Sequence, residues 1–266
     1  MGLPTPAPTV PTPGLVYRFA AWLAFCGFRL QRLRFDTEGL EHVPTSGGAV
    51  IAANHHSFAD MFAVGRGPYL GYGRPIRILA KASLWNVPVF GRLMQAAGHI
   101  PVERGAGTHA WDAAVEALQG GELVLVLPEQ TISPSFELLP FKTGAVRMAA
   151  AAGVPLIPAV SWGTHRMNTM GRRPRFCWRL PVTVRYAPPV MLAPDVDPFA
   201  VSEDLRQTMQ AVLDQVITSY SDGTPAGAWW VPARFGGGAP TPTEADQHLA
   251  ERHRFHRAPG DVDESK

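Results

Sequence analysis

The chain has 266 residues, of which 46% are hydrophobic and 17% are charged, and its formal net charge at pH 7 is +2. The hydrophobic content excludes disorder of the whole chain, and the small net charge gives no indication of nucleic-acid binding. Cys26 and Cys177 lack the close spacing of a zinc ribbon or a redox pair, so we expect a reducing compartment and no disulfide framework. The length allows one large domain or two small ones, and we predict one domain with two tails.

Residues 1–13 are rich in proline and lack a basic region, so we predict a disordered leader and not a secretory signal. Residues 14–34 are predicted to form a helix that lies on a membrane interface. The longest uncharged run, residues 19–28, has ten residues, whereas a spanning helix needs about 20. Arginines beside aromatic residues suit an anionic membrane surface. The alternative is a helix that docks on the domain's own core.

Residues 35–222 alternate short apolar runs with helix-like segments, which predicts an α/β domain with a mostly parallel central sheet flanked by helices. The predicted strands are residues 47–54, 76–81, 122–129 and 154–163. The predicted helices are residues 57–65, 84–98, 108–121 and 142–153.

The remaining segments are predicted from composition and periodicity. Residues 172–190 are expected to form one or two edge strands with a basic face, and residues 201–220 a packing helix with Ser202 as its N-cap. Residues 223–266 are predicted to be a tail rich in proline, glycine and charge, with the "AWW" of residues 228–230 as its apolar anchor.

The segment "NHHSFAD", residues 54–60, places two histidines and a carboxylate at a predicted strand-to-helix junction. Residues five apart on a helix point about 140° away from each other, so His55 and Asp60 meet only if His55 precedes the helix and Asp60 lies in its first turns. An imidazole that is held by a carboxylate keeps its second nitrogen free as a base. A metal site and an ordinary helix start are the alternatives.

Three further segments follow in order, each at or beside a predicted strand end: "GHIPVERG" (98–105), "LPEQTISPSFELLPFKTGA" (127–145) and "VPLIPAV" (154–160). Together with "NHHSFAD", they resemble the four motifs of the glycerolipid acyltransferase family, typified by bacterial 1-acylglycerol-3-phosphate acyltransferases. The resemblance spans roughly residues 40–190, and order, spacing and residue type agree in all four motifs.

The resemblance implies transfer of a fatty acyl chain from acyl-CoA or acyl carrier protein to the hydroxyl of lysophosphatidic acid, in phospholipid biosynthesis. His55 would take the acceptor proton and Asp60 would hold the imidazole. No metal and no cofactor is expected beyond the acyl donor, and the enzyme would lie peripherally on the cytoplasmic face of the cell membrane. The residues expected to bind substrate are Lys81, Arg104, Glu129, Gln130, Thr131, Lys142 and Gly144.

Two residues depart from the usual third motif, since Gln130 replaces a glycine and Ile132 replaces an arginine. They leave open another lysophospholipid or a glycolipid as acceptor, and also a non-catalytic lipid-binding relative. A metal-dependent hydrolase is a further alternative, with ligands drawn from His55, His56, Asp60, His99 and Glu129. No Gly-x-Ser-x-Gly segment is present, which counts against a serine esterase.

Overall fold

A computed structural model describes residues 13–102 and 107–256. Most of the predicted leader, Arg104 and the last ten residues lie outside these ranges. The described residues form seven α-helices: α1 (Leu15–Leu30), α2 (Asp60–Tyr72), α3 (Phe90–Ala96), α4 (Gly107–Gln119), α5 (Gly144–Ala152), α6 (Pro198–Thr218) and α7 (Pro242–His256). They also form seven strands: β1 (Arg34–Glu38), β2 (Ala49–Ala53), β3 (Ile76–Lys81), β4 (Ile100–Val102), β5 (Leu123–Val126), β6 (Leu156–Trp162) and β7 (Pro181–Tyr186).

The strands form one sheet in the order β1-β7-β6-β2-β5-β3-β4. The five strands from β6 to β4 are parallel, whereas β7 runs antiparallel to β6 and β1 runs parallel to β7. The predicted α/β domain with a mostly parallel sheet is therefore confirmed. All four predicted strands are present, and their carboxyl ends meet at one edge of the sheet.

Helices cover both faces of the sheet, which explains why β2 and β6 are mostly apolar and fully buried. On one face, α4, α5 and α6 pack against the sheet around Val146, Met209 and Leu213. On the other face, α2 packs through Ala63 and Val64. Helix α1 lies over α2 and α3.

Helix α2 contains Pro68, which has no N–H and therefore cannot bond to the carbonyl of Val64 four residues earlier. The Tyr186 hydroxyl, from β7, donates to that carbonyl instead. Helix α2 consequently continues without a break to Tyr72, and it is fixed to a strand of the sheet as well as packed on it.

Helix α1 docks on the domain along one side. The Tyr17 hydroxyl accepts a hydrogen bond from the Ile76 N–H at 3.0 Å, and the rings of Tyr17 and Phe25 pack on Tyr69. No residue of α1 is buried, and Phe19, Trp22 and several aliphatic side chains are exposed. Across residues 13–102 and 107–256, we find no helix with the length and apolar content that a membrane crossing requires.

Several predicted boundaries were wrong. Helix α6 begins at Pro198 with Asp197 as N-cap, because the Asp197 carboxylate accepts the Phe199 N–H at 2.9 Å. Ser202 lies inside that helix, where its hydroxyl donates to the Pro198 carbonyl. Strand β7 is the only strand within residues 172–190, and it lies between β1 and β6 and not at the sheet edge.

The predicted helix at residues 84–98 is interrupted before α3. Residues Ala82–Asn86 form a short 3-10 helix, and α3 starts only at Phe90. Val89, directly after Pro88, has a φ of 66°, a left-handed conformation that ends any continuous helix.

The predicted tail is also packed along part of its length. Val231 is fully buried, and Trp230 and Ala239 are nearly so, all three in the same core as α5 and α6. The folded domain therefore extends well past residue 222. The "AWW" segment packs on the core as predicted, and residues that follow it, as far as Ala239, pack there as well.

His56 and His165 lie together in an aromatic cluster formed with Phe136, Trp162 and Trp230. Both imidazoles are fully buried, and the ring of His165 packs 4.3 Å from that of Trp162 and 4.5 Å from that of Phe136, measured between centroids. Burial disfavours the imidazolium and lowers the pKa of each histidine to about 3. Both side chains are therefore neutral in the folded protein at neutral pH.

These histidines should make the domain sensitive to acid. In the unfolded chain they titrate near pH 6.5, so below this pH the unfolded state binds more protons and the free energy of unfolding falls as the pH falls towards about 3. Each histidine contributes a slope of up to about 1.4 kcal/mol per pH unit. We expect His165→Phe to lower the slope by about this amount in urea denaturation between pH 6 and pH 4. An unchanged slope would show that His165 does not titrate on unfolding.

Candidate active site

The site lies at the edge of the sheet where the parallel strands end. His55 follows β2 by two residues, Glu129 follows β5 by three, and Thr164 follows β6 by two. Open α/β sheets bind their ligands at this edge. The first and third sequence motifs therefore meet in space, because β2 and β5 are neighbours in the sheet.

Asp60 is the first residue of α2, and its carboxylate is fully buried. One oxygen, Oδ2, accepts the backbone N–H groups of His56 and Ser57, each at 2.7 Å. The other oxygen accepts the hydroxyls of Ser161, at 3.2 Å, and Thr164. Four donors thus replace the water that the carboxylate loses on burial.

His55 lies before α2 and Asp60 in its first turn, as the spacing predicted. The Nδ1 atom of His55 is 3.7 Å from Oδ2 of Asp60, and the side chain of His55 is 13% exposed. This distance allows a charge interaction but is too long for a hydrogen bond. Since Nδ1 faces Asp60, Nε2 on the other side of the ring remains for a ligand.

Glu129 fixes the backbone around His55. Its Oε1 accepts the His55 N–H at 2.7 Å and its Oε2 accepts the Leu139 N–H at 2.9 Å. The side chain is almost completely buried, and this burial raises the pKa of Glu129 to about 8, while the two N–H donors act in the opposite direction. Each oxygen therefore has one protein donor, and the role in acceptor binding that the resemblance implied for Glu129 stays a prediction.

The loop after Glu129 holds His55 from its carbonyl side as well, because the Ser133 N–H donates to the His55 carbonyl at 3.0 Å. Ile132, at the position where the family usually has arginine, is 3% exposed and belongs to the interior. Gln130 is exposed and has a φ of 59°. A left-handed residue favours glycine, which is the residue usual for the family at this position.

The other predicted binding residues lie around this loop. Lys142 is exposed, and its backbone N–H donates to the Pro128 carbonyl at 3.0 Å, while Thr131 is half-buried. Gly144 starts α5, and a Cβ there would meet only the Met148 methyl at 3.6 Å, so the backbone does not require glycine at this position.

Lys81 is an exposed residue at the end of β3, paired in register with Val102 of β4. The second motif continues directly from Val102, but Arg104 lies outside the described residues. Lys81 and the start of that motif are therefore neighbours at the same sheet edge as His55, and the binding role of both cations stays a prediction.

His56 and Ser57 are both committed to the protein interior. The His56 ring packs edge-on against Phe136 and Trp162, and its Nδ1 lies 3.1 Å from the Asn54 side-chain amide. The Ser57 hydroxyl donates to the Asn168 carbonyl at 2.6 Å. His55 is thus the histidine of this segment that a substrate can reach, and Ser57 is not arranged as a nucleophile.

Of the residues proposed for a metal-dependent hydrolase, His99 lies apart from the others. His99 lies beside Tyr17, under α1, with its Nδ1 accepting the Ile78 N–H. Within residues 13–102 and 107–256, we find no group of three histidine, cysteine or acidic side chains placed to hold a metal ion.

Sequence reasoning missed the residues that support the site from β6 and the loop after it. Asn54 exchanges two hydrogen bonds with the backbone of Ser161, at 2.7 and 3.0 Å. The Thr169 hydroxyl donates to the His56 carbonyl at 2.7 Å. The only signal in the sequence was a set of small hydroxyl residues after an apolar run, which is too common to identify a site.

Comparison with known proteins agrees with this geometry. The family model described as Acyltransferase matches residues 34–162. A chloroplastic 1-acyl-sn-glycerol-3-phosphate acyltransferase of Brassica napus is 32% identical over 51% of this chain and 39% of its own length. The 1-acyl-sn-glycerol-3-phosphate acyltransferase of Escherichia coli is 34% identical over 46% of this chain and 50% of its own length.

The fold also has a solved counterpart. The crystal structure of the PlsC 1-acyl-sn-glycerophosphate acyltransferase of Thermotoga maritima superimposes with a TM-score of 0.63, covers 77% of this chain and 81% of that one, and is 22% identical in sequence. The chain resembles the Acyltransferase family over residues 34–162, and its fold is similar to that of the solved PlsC structure. It spans about half the length, or less, of these two curated relatives.

The left-handed conformation of Gln130 gives a test of the loop geometry. A non-glycine residue in this conformation costs roughly 1–2 kcal/mol, part of which glycine returns through the greater freedom of the unfolded chain. We expect Gln130→Gly to raise the free energy of unfolding by up to about 1 kcal/mol in urea denaturation, whereas Gln130→Ala should leave it nearly unchanged. A destabilising effect of Gln130→Gly would contradict the conformation described for this loop.

Proposed function

We propose that the protein transfers a fatty acyl chain from a thioester donor to the free hydroxyl of 1-acylglycerol-3-phosphate. The observation that carries the proposal is the position of His55, a partly exposed imidazole whose Nδ1 faces a buried carboxylate 3.7 Å away. The relatives' names supply the acceptor, because they are 1-acyl-sn-glycerol-3-phosphate acyltransferases.

In the proposed reaction, Nε2 of His55 takes the proton of the acceptor hydroxyl while the oxygen attacks the thioester carbonyl. The C–S bond then breaks, and the proton passes from the imidazolium to the departing thiolate. Asp60, 3.7 Å from Nδ1, orients the ring so that Nε2 faces the acceptor during this step. No covalent enzyme intermediate is required, which fits the engagement of the Ser57 hydroxyl with the Asn168 carbonyl.

Binding of the acceptor phosphate needs cations near His55. Lys142, on the loop that follows Glu129, and Lys81, at the end of β3, are exposed and lie at the correct sheet edge. Arg104 follows β4 in the sequence. Because Ile132 is buried where the family has an arginine, an acceptor without a terminal phosphate is the second candidate.

A small apolar cleft lies along α2, the helix that begins with Asp60. The cleft lies between α1 and the domain, lined by Phe25, Met61, Phe62 and Ile78. Met61 and Phe62 directly follow Asp60, so this cleft reaches the first turn of α2. We assign it to one of the fatty chains because apolar walls bind hydrocarbon without unsatisfied polar groups.

Helix α1 is the proposed attachment to the membrane surface where the acceptor lipid resides. Phe19, Trp22 and Leu23 are more than half exposed, and arginines flank them in the sequence. This pattern is that of an interfacial helix, which binds reversibly through apolar burial and attraction to anionic lipid. The proposed location is the cytoplasmic face of the cell membrane. The proposed acyl donor is acyl-CoA or acyl carrier protein.

Replacement of the proposed base is the first test. We expect His55→Ala to lower thiol release from an acyl donor, in the presence of lysophosphatidate, by about 10²- to 10⁴-fold. The fold should be unaffected, because Glu129 and Ser133 hold the backbone of His55 and not its ring. His56→Gln is the matched control and should retain activity. Near-normal turnover by folded His55→Ala protein would refute the mechanism.

Asp60 is a less selective test than the sequence indicated. Because its carboxylate accepts four hydrogen bonds from the surrounding loops, Asp60→Asn removes acceptor capacity and also weakens the fold. Loss of activity in Asp60→Asn is therefore interpretable only together with a measured free energy of unfolding.

Glu129→Gln separates a positioning role from acceptor binding. The amide offers one acceptor and two donors, so one of the N–H groups of His55 and Leu139 would face another N–H group. We expect a loss of about 1.5 to 3 kcal/mol in the free energy of unfolding, and a fall in kcat of about tenfold or more with little change in the acceptor KM. A raised acceptor KM with unchanged kcat and stability would instead assign Glu129 to the acceptor.

A further inference from the structure

A loop between the active site and β7 carries an unusual concentration of exposed arginine. We call residues 172–179, "RRPRFCWR", the arginine loop. All four of its arginines are exposed, it contains no acidic residue, and none of the four forms an ion pair with a carboxylate in the described part of the chain. The Arg172 guanidinium lies 4.0 Å from the centre of the Trp229 ring. Surface charges without a carboxylate beside them indicate a partner of opposite sign.

Two large aromatic side chains project from the same loop. Phe176 is 63% exposed and Trp178 is 56% exposed, and their rings stack with centroids 6.4 Å apart. The Arg32 guanidinium lies 5.0 Å from the centre of the Trp178 ring. Exposed aromatic rings beside arginines are typical of a surface that enters the headgroup region of a bilayer. Such side chains place their apolar part towards the lipid and their polar end in water.

The arginine loop is attached to the end of α1. The Arg179 N–H donates to the Gln31 carbonyl at 2.8 Å, and the Cys177 N–H donates to the Gln31 side-chain oxygen at 2.9 Å. Gln31 directly follows α1. The arginine loop and the last turn of α1 therefore form one continuous surface.

The other end of the arginine loop is attached to the catalytic segment. The Arg172 N–H donates to the Thr169 carbonyl, and the Thr169 hydroxyl donates to the carbonyl of His56, next to His55. The loop thus connects the proposed membrane helix to the backbone of the active site through one short stretch of chain.

The carboxylate beside this surface does not neutralise it. Asp222 pairs with Arg34 at 3.3 Å and with Arg166 at 2.7 Å, so two cations already share its charge. Arg34 in turn donates to the Arg179 carbonyl. The arginine loop consequently keeps its full positive charge.

We propose that the arginine loop is a second membrane-docking element that binds the phosphates of an anionic bilayer, with Phe176 and Trp178 inserted at the headgroup level. The inference extends the proposed membrane association of α1. Two attachment points fix the orientation of a protein on a surface, whereas one helix leaves it free to rotate. The loop would hold the His55 side of the domain against the lipid that supplies the acceptor.

Vesicle flotation of the full chain tests the proposal. The probes are vesicles of phosphatidylcholine with and without phosphatidylglycerol, and the variant is Arg175→Glu with Phe176→Ser. The matched control is Arg206→Glu with Phe199→Ser, which makes the same changes on α6, on the opposite face of the sheet from α1 and α2. Phe199 is 76% exposed, so its loss does not disturb the core.

We expect the unmodified chain to bind vesicles that contain phosphatidylglycerol, the arginine-loop variant to bind them at least about tenfold more weakly, and the control to bind as the unmodified chain does. Equal binding by the variant, or binding that is indifferent to phosphatidylglycerol, would overturn the proposal. So would unchanged vesicle binding combined with a raised KM for acyl carrier protein, because the surface would then bind an acidic protein. Flotation requires no catalysis, so its outcome is independent of the thiol-release test of the proposed function.

Discussion

The buried carboxylate of Asp60 is the interaction on which the rest of the site depends. It joins the turn after β2, the last residues of β6 and the loop beyond β6 through four hydrogen bonds. A buried charge is stable only when its donors are held in place, so the carboxylate and the three segments fix each other. His55 gains its position as a consequence, because the turn that carries it has little freedom left.

Glu129, which follows the neighbouring strand β5, also holds His55 in place. Glu129 accepts the N–H of His55 and Ser133 donates to its carbonyl, so the third motif fixes the backbone of the first motif. These contacts join the two motifs through the protein's own backbone and need no bound acceptor. Two residues of the third motif differ from those usual in the family. Ile132 fills the interior beneath this loop, and Gln130 adopts the conformation for which the family uses glycine.

The sequence predicted the parts of the fold that depend on local patterns. The four long apolar runs and the helices between them gave the parallel half of the sheet, because burial between two helical layers leaves a continuous apolar signal. The edge strand β1 was missed because its residues "RFDTE" alternate in burial and are mostly polar. The packing of residues 228–239 was missed because proline and glycine indicate loops, whether or not the loops are buried.

The same distinction holds for the site. His55 and Asp60 are five residues apart, and their meeting followed from helix geometry. The contacts of Asp60 with Ser161 and Thr164 span more than 100 residues, and no local pattern contains them. The bonds between Glu129 and the His55 backbone depend on the order of the strands, which a sequence alone does not fix.

The hydrogen bond from Tyr186 to the carbonyl of Val64 has a consequence for how this sequence can change. Pro68 creates an acceptor without a donor inside α2, and Tyr186 supplies that donor from β7, so the two side chains share one function although they lie far apart in the chain. With Tyr186 replaced, the carbonyl would be left without a partner. With Pro68 replaced as well, the backbone N–H at position 68 would donate to that carbonyl and the helix would again be satisfied. Replacement of Tyr186 is therefore expected to be tolerated best where Pro68 has been replaced too.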